Sequence, residues 1–252
     1  MPQLQTYHRP ETLEAALDLL ARPGMTSAVL AGGTELNARK LEGVDEVVDL
    51  QAIGLDGIQR AGDRLVVGAM TRLQAIVESD ETPPLLRETA HREGPNTFRN
   101  QGALGGVIVD ADPESELLAA LLVFEADVRV QTTGGASTMA GGRTLPLSDL
   151  LADVEGSLAG GIITEISFAT DGQTASERVG RTPADKPIVA AVGRKTTDGR
   201  MSLALCGVTD TPILVAPDQN ASLDPPADFR GSSEYRREMA VLLVDRVVNQ
   251  LN

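Results

Sequence analysis

Short apolar runs alternate with helical patterns along this chain, and glycine or proline turns separate them. The pattern begins at RPETLEAALDLLAR, where leucines recur at helical spacing after Pro10 and Thr12, two residue types that start helices. Three segments follow in order: the strand SAVLAGG, the helix TELNARKL capped by Thr34, and the strand DEVVDL. Residues 1–55 are therefore predicted to form a compact α/β subdomain.

The rest of the chain is predicted to form two further units, residues 56–170 and 171–252. The second unit is expected to contain the strands RLVVGAM, ADVRVQTT and GIITEISFA and the helices TRLQAIVES, PPLLRETAHRE and ESELLAALLVF. It is also expected to contain the loop FRNQGALGGVIVDADP and an exposed loop or hairpin, TTGGASTMAGGRT. In the third unit, KPIVAAVGRK and RMSLALCGV are predicted to pair as an antiparallel hairpin. The last helix, SSEYRREMAVLLVDRVVNQL, is predicted to be capped by Ser233.

The composition argues against several classes of function. A net charge of −14 does not suit a nucleic-acid surface or an anionic membrane, and the absence of Trp makes a base-stacking platform improbable. No apolar run approaches the roughly 20 residues of a membrane helix. The start MPQLQTYHRP lacks the pattern of a signal peptide. The sequence therefore predicts a cytoplasmic protein with no nucleic-acid partner and no membrane insertion.

The chain offers few side chains for catalysis of its own. Cys206 is the only cysteine, which rules out a cysteine-ligated zinc or iron–sulfur site within these residues. His8 and His91 have no second ligand or base at a recognisable spacing, so no metal is expected. GxSxG and HExxH motifs are absent as well. If the chain belongs to an enzyme, we expect a cofactor to supply the difficult chemistry.

Two glycine pairs are candidates for binding a diphosphate. Gly32-Gly33 and Gly105-Gly106 each follow an apolar residue where a loop meets a predicted regular element. Glycine pairs let backbone amides converge on one point, and a nearby helix start adds positive potential. Neither a GxGxxG fingerprint nor a P-loop surrounds these pairs. Each pair alone is also compatible with a turn that only reverses the chain.

Four segments resemble one known family in order and at family-like spacing: VLAGGTEL, FRNQGALGGVIVDADPESELLAALLVFEADVRV, ERVGRTPADKPIVAAV and RGSSEYRREMAVLLVDRVV. They are similar to the FAD-binding (medium) subunit of the molybdenum hydroxylases, a family that includes carbon monoxide dehydrogenase and xanthine dehydrogenase. The resemblance implies an α+β fold. It consists of an FAD-binding domain of the vanillyl-alcohol-oxidase (PCMH) type with two α/β subdomains, followed by a smaller C-terminal domain of antiparallel strands and helices.

The resemblance also implies a cofactor, its ligands and its partners. The cofactor is FAD, with the diphosphate against the two glycine loops. The implied binding residues are Ala31, Gly32, Gly33, Thr34, Glu35, Ala103, Leu104, Gly105, Gly106 and Asp112. The implied role is electron transfer from the iron–sulfur clusters of a 2Fe-2S small subunit, through FAD, to an acceptor. Substrate is oxidised in a separate large subunit that carries the molybdenum cofactor, so a hetero-oligomer is expected.

Some positions depart from the family pattern. Ala103 and Val107 stand where the family usually has a Thr and an Asn or Ser, and Glu35 and Asp110 bring carboxylates close to the glycine loops. These departures leave open a non-catalytic scaffold subunit that kept the fold and lost or weakened FAD binding. An unrelated nucleotide-binding α/β enzyme is a third, weaker interpretation.

Several charged residues near the C-terminal unit have a simple expected role. Arg178 and Arg181 are expected to be solvated arginines beside a strand, with flavin or a partner subunit as the alternative contact. Asp185 and Lys186 are expected to form a surface pair of little energetic weight.

Overall fold

The computed structural model describes residues 6–34, 43–133, 142–216 and 223–252. This described part contains three β-sheets and nine helices, numbered here in chain order. None of the helices in it is both long and apolar enough to cross a lipid bilayer. The combination of helices with separate sheets agrees with the predicted α+β class.

The first sheet is small and wholly parallel, with the strand order β1-β3-β2. Its elements are β1 (Thr6–His8), α1 (Leu13–Leu20), β2 (Ser27–Leu30) and β3 (Glu46–Asp49). Helix α1 begins where the sequence predicts, because the Thr12 hydroxyl accepts a hydrogen bond from the Ala15 amide at 3.2 Å. The predicted helix TELNARKL falls almost entirely on residues 35–42, which lie outside the described residues.

The second sheet has five antiparallel strands in the order β4-β5-β8-β6-β7. The strands are β4 (Ile58–Ala61), β5 (Arg64–Gly68), β6 (Asp127–Gln131), β7 (Gly142–Pro146) and β8 (Ile162–Ala169). The helices of this region are α2 (Leu73–Glu78), α3 (Pro84–Arg92), α4 (Asn96–Arg99), α5 (Leu104–Asp110), α6 (Glu116–Val123), α7 (Leu147–Ala152) and α8 (Val154–Leu158). The three predicted strands and three predicted helices are confirmed. Most of the predicted loop TTGGASTMAGGRT, residues 134–141, lies outside the described part.

The prediction that FRNQGALGGVIVDADP is a loop is wrong, because α4 ends and α5 lies within it. Tertiary hydrogen bonds stabilise both short helices. The Arg99 guanidinium, 8% exposed, donates to the carbonyls of His91 and Gly94 at 3.1 and 2.7 Å. The Gly105 amide at the start of α5 donates to the Ala69 carbonyl at 2.8 Å. Such contacts compensate for the low helix propensity of glycine.

Helix α6 lies at the centre of the molecule. All eight of its residues are buried, and the Ser115 hydroxyl caps it by accepting from the Leu118 amide at 3.1 Å. Its apolar side chains belong to one core cluster that contains residues from the second sheet and also Ala190, Val192 and Cys206 from the C-terminal part of the chain. The core of the second sheet is therefore continuous with that of the third.

The third sheet is antiparallel, with the order β12-β11-β10-β9. Its elements are β9 (Gln173–Val179), β10 (Val189–Lys195), β11 (Met201–Cys206), β12 (Ile213–Val215) and the helix α9 (Ser233–Leu251). The predicted hairpin is confirmed as β10 and β11. Helix α9 packs on the sheet face opposite α6. Its cap is Ser232, which accepts from the Tyr235 amide at 3.1 Å, so the prediction of Ser233 is wrong by one residue. The unit boundaries at 55 and 170 stay predictions.

Candidate cofactor-binding site

A cavity of about 360 Å³ lies where the first sheet, α5 and the start of β8 meet. Both glycine pairs line it, although 72 positions separate Gly33 from Gly105 in the sequence. The lining residues are Val29, Ala31, Gly32, Gly33, Leu50, Ala69, Met70, Gly105, Gly106, Val109, Asp110, Leu158, Gly161, Ile162 and Ile163. The fold thus brings the two predicted loops to one site.

The first glycine pair is required by the backbone itself. Gly33 has φ of 75°, in the left-handed region that glycine adopts without a steric penalty. A side chain at Gly32 would overlap the carbonyl oxygen of Gln101, in the segment that leads to α5. The two loops are therefore in close contact, and this contact sets the width of the cavity between them.

The second glycine pair lies in the first turn of α5. The Leu104 amide donates to the Thr71 carbonyl at 3.0 Å, and the Gly105 amide is paired with Ala69. Within the described residues, no hydrogen-bond acceptor is assigned to the Gly106 amide. A Cβ atom at Gly106 would have no described heavy atom within 4 Å. Gly106 therefore leaves an open space and an amide at the cavity wall.

The lining has a chemical character that suits half of a dinucleotide. Its described residues contribute mainly backbone and apolar side chains such as those of Val29, Val109 and Leu158, and none of these described residues is Lys, Arg or His. Among the described lining residues, Asp110 is the one with an ionisable side chain. Apolar walls with few polar groups are typical of sites for planar organic ligands. FAD fits this site if backbone amides bind its diphosphate, because Gly106 leaves open space next to its backbone at the cavity.

The predicted binding residues are not all at the cavity. Ala31, Gly32, Gly33, Gly105 and Gly106 line it, whereas Thr34 follows the first pair without being part of the lining. Ala103 and Leu104 are each 1% exposed and pack in the core on the inner side of α5. Glu35 lies outside the described residues. Direct contact of FAD with these residues stays a prediction.

Two of the departures from the family pattern do not face the cavity. Ala103 packs with α1 and β3 in the core of the first sheet. Val107 is 7% exposed and belongs to the large core cluster around α6. Neither side chain is part of the cavity lining. The branched side chain of Val107 therefore lies in the core and outside the described cavity lining.

Asp112 lies in a separate ionic cluster on the turn between α5 and α6, which we call the acidic turn (residues 112–116). The Asp112 carboxylate accepts a hydrogen bond from Lys186 Nζ at 2.5 Å. Lys186 also lies 3.4 Å from Glu93, whose other oxygen accepts from the Ser115 hydroxyl at 2.9 Å. Lys186 is thus an interdomain ion-pair residue, and the expectation of a surface pair between Asp185 and Lys186 is wrong.

Two more carboxylates of the acidic turn have cationic partners. Both Glu114 oxygens accept from the Arg230 guanidinium, one of them at 2.6 Å. Glu116 lies 2.8 Å from Arg178 Nε, in an ion pair that is not aligned as a hydrogen bond, and 3.1 Å from Arg92. Arg178, 17% exposed, is therefore not the solvated arginine that the sequence suggests.

Burial is the largest single influence on the pKa values of Glu93, Glu116 and Lys186 in this cluster. It raises the pKa of Glu93 above its usual value, although Lys186 and the Ser115 hydroxyl oppose the shift. Burial likewise raises the pKa of Glu116, with Arg178 and Arg92 opposing. Burial alone would lower the pKa of Lys186, but the carboxylates of Glu93 and Asp112 outweigh it and raise that pKa. The cluster is a set of buried charges that depend on their partners.

The sequence patterns did not identify the residues that reach the cavity and the acidic turn from distant segments of the chain. Leu158 reaches the cavity from the end of α8 and the residues around Ile162 reach it from the start of β8, and no motif marks them. In the described part of the chain, no group of three or more His, Cys, Asp or Glu is arranged to hold a metal ion. The chemistry that this arrangement supports is the binding of an organic cofactor by backbone and apolar groups.

Comparison with known proteins agrees with this geometry. A family model described as the FAD binding domain in molybdopterin dehydrogenase matches residues 2–168. The chain is 29% identical over 275 residues to the carbon monoxide dehydrogenase medium chain of Afipia carboxidovorans, covering 97% of this chain and 95% of that protein. It is 26% identical over 280 residues to the 6-hydroxypseudooxynicotine dehydrogenase complex subunit alpha of Paenarthrobacter nicotinovorans, covering 96% and 92%.

The fold has solved counterparts as well. A crystal structure of the cyanide-inactivated Cu,Mo-CO dehydrogenase contains a chain that matches with a TM-score of 0.82 at 26% identity, covering 100% of this chain and 98% of that one. With the family match, this confirms the predicted fold, an FAD-binding domain of the PCMH type followed by a C-terminal domain.

Proposed function

Because the chain belongs to the family of FAD-binding domains in molybdopterin dehydrogenases, we propose that it passes electrons from partner iron–sulfur clusters, through FAD, to an acceptor. The chain is an FAD-binding oxidoreductase subunit of the molybdenum hydroxylase type. The observation that carries the electron-transfer proposal is the single cavity that both glycine pairs line. The third interpretation, an unrelated nucleotide-binding enzyme, is wrong because the family is identified.

The residues of this chain bind and orient the cofactor in this proposal. The Gly106 amide would help to hold the FAD diphosphate, because glycine leaves open space beside this part of the backbone. Val29, Val109 and Leu158 exclude water from the bound ligand. When bound, FAD supplies the redox chemistry that links one-electron and two-electron carriers. The protein contributes binding, orientation and electrostatics.

The proposed partners are a large subunit with the molybdenum cofactor and a 2Fe-2S small subunit, assembled as a hetero-oligomer. Two observations support them. Cys206, the only cysteine of the chain, is fully buried and cannot ligate a cluster. The relatives in Afipia and Paenarthrobacter are named as a medium chain and as a subunit of a dehydrogenase complex. In this proposal, electrons reach FAD from another chain.

Two of the four residues that suggested a scaffold subunit without FAD do not line the cavity. The scaffold alternative rested on Ala103, Val107, Glu35 and Asp110. The side chains of Ala103 and Val107 pack in the core and do not line the cavity, so their identity changes no direct contact there. Asp110 is the remaining described residue that supports the alternative, and its effect on FAD binding is measurable.

The test has two stages. The purified chain should show flavin bands in its visible spectrum and release FAD on denaturation. A folded chain that binds no added FAD, even at high micromolar concentration, would contradict the proposal. In the second stage, the FAD-loaded chain is mixed with its partner subunits and their substrate, and the flavin bands should bleach. Omission of the small subunit is the control, and bleaching without it would argue against the proposed route of electrons.

A further inference from the structure

The acidic turn carries a carboxylate at every second position, and each one faces a cation from the C-terminal part of the chain. Asp112 is paired with Lys186, Glu114 with Arg230, and Glu116 with Arg178. The three cations come from the end of β9, the loop before β10 and the segment before α9. This regular pairing makes the acidic turn an ionic contact between the FAD-binding domain and the C-terminal part, in addition to the ion pairs of Glu125 with Arg194 and Arg200.

Backbone hydrogen bonds reinforce the same contact. The Pro113 carbonyl, in the middle of the acidic turn, accepts from the Gly207 amide just after β11 at 2.6 Å. The buried guanidinium of Arg236 donates to the carbonyls of Ile188 and Gly207 at 2.7 and 2.9 Å, which fixes the strand ends that meet the turn. The turn is therefore anchored by side chains and by backbone.

The acidic turn is also continuous with the cavity wall. It follows α5 directly, and α5 carries Gly105, Gly106 and Asp110 on the cavity side. On its other side it leads into α6, which is buried along its whole length. The position of α5 is therefore set at its C-terminal end by the acidic turn. A shift of this turn would move the Gly106 amide relative to the first glycine pair.

We propose that Lys186, Arg178 and Arg230 are positioning residues for FAD: by holding the acidic turn, they place α5 for binding the diphosphate, so that FAD affinity depends on docking of the C-terminal part. This inference rests on the proposed function. It assigns Asp112 an indirect role, because its carboxylate is used by Lys186. The coupling is reciprocal, so bound FAD must also strengthen the contact between the two parts.

A double-mutant cycle on the Asp112–Lys186 pair shows whether these residues affect FAD binding directly or through the position of the acidic turn. FAD dissociation constants are measured by fluorescence titration for the wild type, Asp112→Asn, Lys186→Met and the double variant. We expect each single variant to weaken FAD binding about 5-fold or more, and the double variant to be no weaker than the worse single one. Lys186→Arg should retain most of the affinity because it keeps the ion pair. Arg246→Met, which removes a cation 3.8 Å from Glu177 on β9 and breaks no described ion pair of the acidic turn, is the matched control.

Different results would overturn the inference in distinct ways. Weaker binding in Asp112→Asn with unchanged binding in Lys186→Met would make Asp112 a direct ligand of FAD. Unchanged binding in both would show that the turn does not affect the cavity. A wild-type chain that binds no FAD would overturn the proposed function as well, whereas a wild type that binds FAD with an additive cycle overturns the positioning role alone.

A measurement on the wild type avoids any variant that fails to fold. Hydrogen–deuterium exchange is followed with and without FAD. We expect FAD to slow exchange in residues 201–207 and 178–186, as well as around the cavity. Protection confined to the cavity segments, residues 29–34, 104–110 and 158–163, would contradict coupling through the acidic turn.

Discussion

Gly106→Ala is expected to change FAD binding and protein stability in opposite directions. Gly106 lies within α5, its amide has no acceptor among the described residues, and a Cβ atom there points into open space at the cavity. The substitution adds one methyl group and touches no other described side chain. It therefore separates the role of Gly106 in ligand binding from any role in the fold.

The stability of the unliganded chain should rise. Alanine is preferred to glycine inside a helix by about 0.5–1 kcal/mol. For a domain of this size, 1 kcal/mol corresponds to a shift of about 2–4 °C in Tm. Because the methyl group causes no overlap, we expect the unfolding free energy to increase by roughly this amount, and Tm to rise by about 1–4 °C.

The affinity for FAD should fall. The methyl group occupies the space through which a phosphate oxygen reaches the Gly106 amide. A hydrogen bond to a charged group contributes about 1.5–3 kcal/mol, which corresponds to a loss of affinity of about 10-fold to 150-fold. The expected signature is a more stable unliganded protein that binds FAD much more weakly.

Thermal unfolding of the unliganded chain and fluorescence titration with FAD provide both quantities on the same sample. Asn252, at the end of α9 and far from the cavity, offers an Asn252→Ala control that should leave FAD binding unchanged. The reasoning is refuted if Gly106→Ala binds FAD as tightly as the wild type. It is also refuted if the variant loses stability, because the space at Gly106 would then not be open.

Three further predictions concern the cavity and the first sheet. Gly32→Ala should lower both Tm and FAD affinity, because its methyl group overlaps the Gln101 carbonyl oxygen. We expect a loss of about 1–3 kcal/mol in the free energy of unfolding. A variant with the wild-type Tm would show that the two loops are not in contact. Asp110→Asn should tighten FAD binding about 2-fold to 5-fold at low salt, since it removes a negative charge from the lining, and the effect should be smaller at 1 M salt. Equal FAD affinities of the wild type and the variant at low salt would place the carboxylate away from the diphosphate. Glu46→Gln should reduce stability near neutral pH, because the buried Glu46 carboxylate accepts from Ser27, Arg22 and His8. The hydrogen bond from Ser27, with those from Arg22 and His8, lowers the pKa of Glu46 below its usual 4.5. The stabilisation by the ionised carboxylate is therefore present above pH 4.5 and is lost as the pH falls toward the lowered pKa. The difference in Tm between the wild type and the variant should shrink between about pH 5 and pH 3, and a constant difference would contradict the assignment.

Local patterns predicted the elements whose stability is mostly local. Thr12 marked the start of α1, and the apolar alternation of β10 and β11 marked their hairpin. Helix α5 was missed because Gly105 and Gly106 lower its intrinsic propensity, and hydrogen bonds from its first turn to Thr71 and Ala69 compensate. Those partners become visible only when the chain is folded.

The candidate site, like the fold, could be predicted from the sequence only in part. The family resemblance implied one diphosphate site against both glycine pairs, and both pairs line the same cavity. The pairing of Asp112 with Lys186 joins residues 74 positions apart, and neither residue has a local signal for the other. Leu158 reaches the cavity from an equally distant segment. Sequence patterns thus indicated the backbone of the site, while its apolar walls and its ionic support depend on tertiary packing.

The burial of α6 has a consequence for dividing the chain. The family match ends at residue 168, yet Ala190, Val192 and Cys206 from beyond that point complete the core around this helix. A fragment that stops at residue 168 would expose the leucine-rich surface of α6 to water and should aggregate. Unfolding of the whole chain should then be a single cooperative transition, in which the two parts melt together.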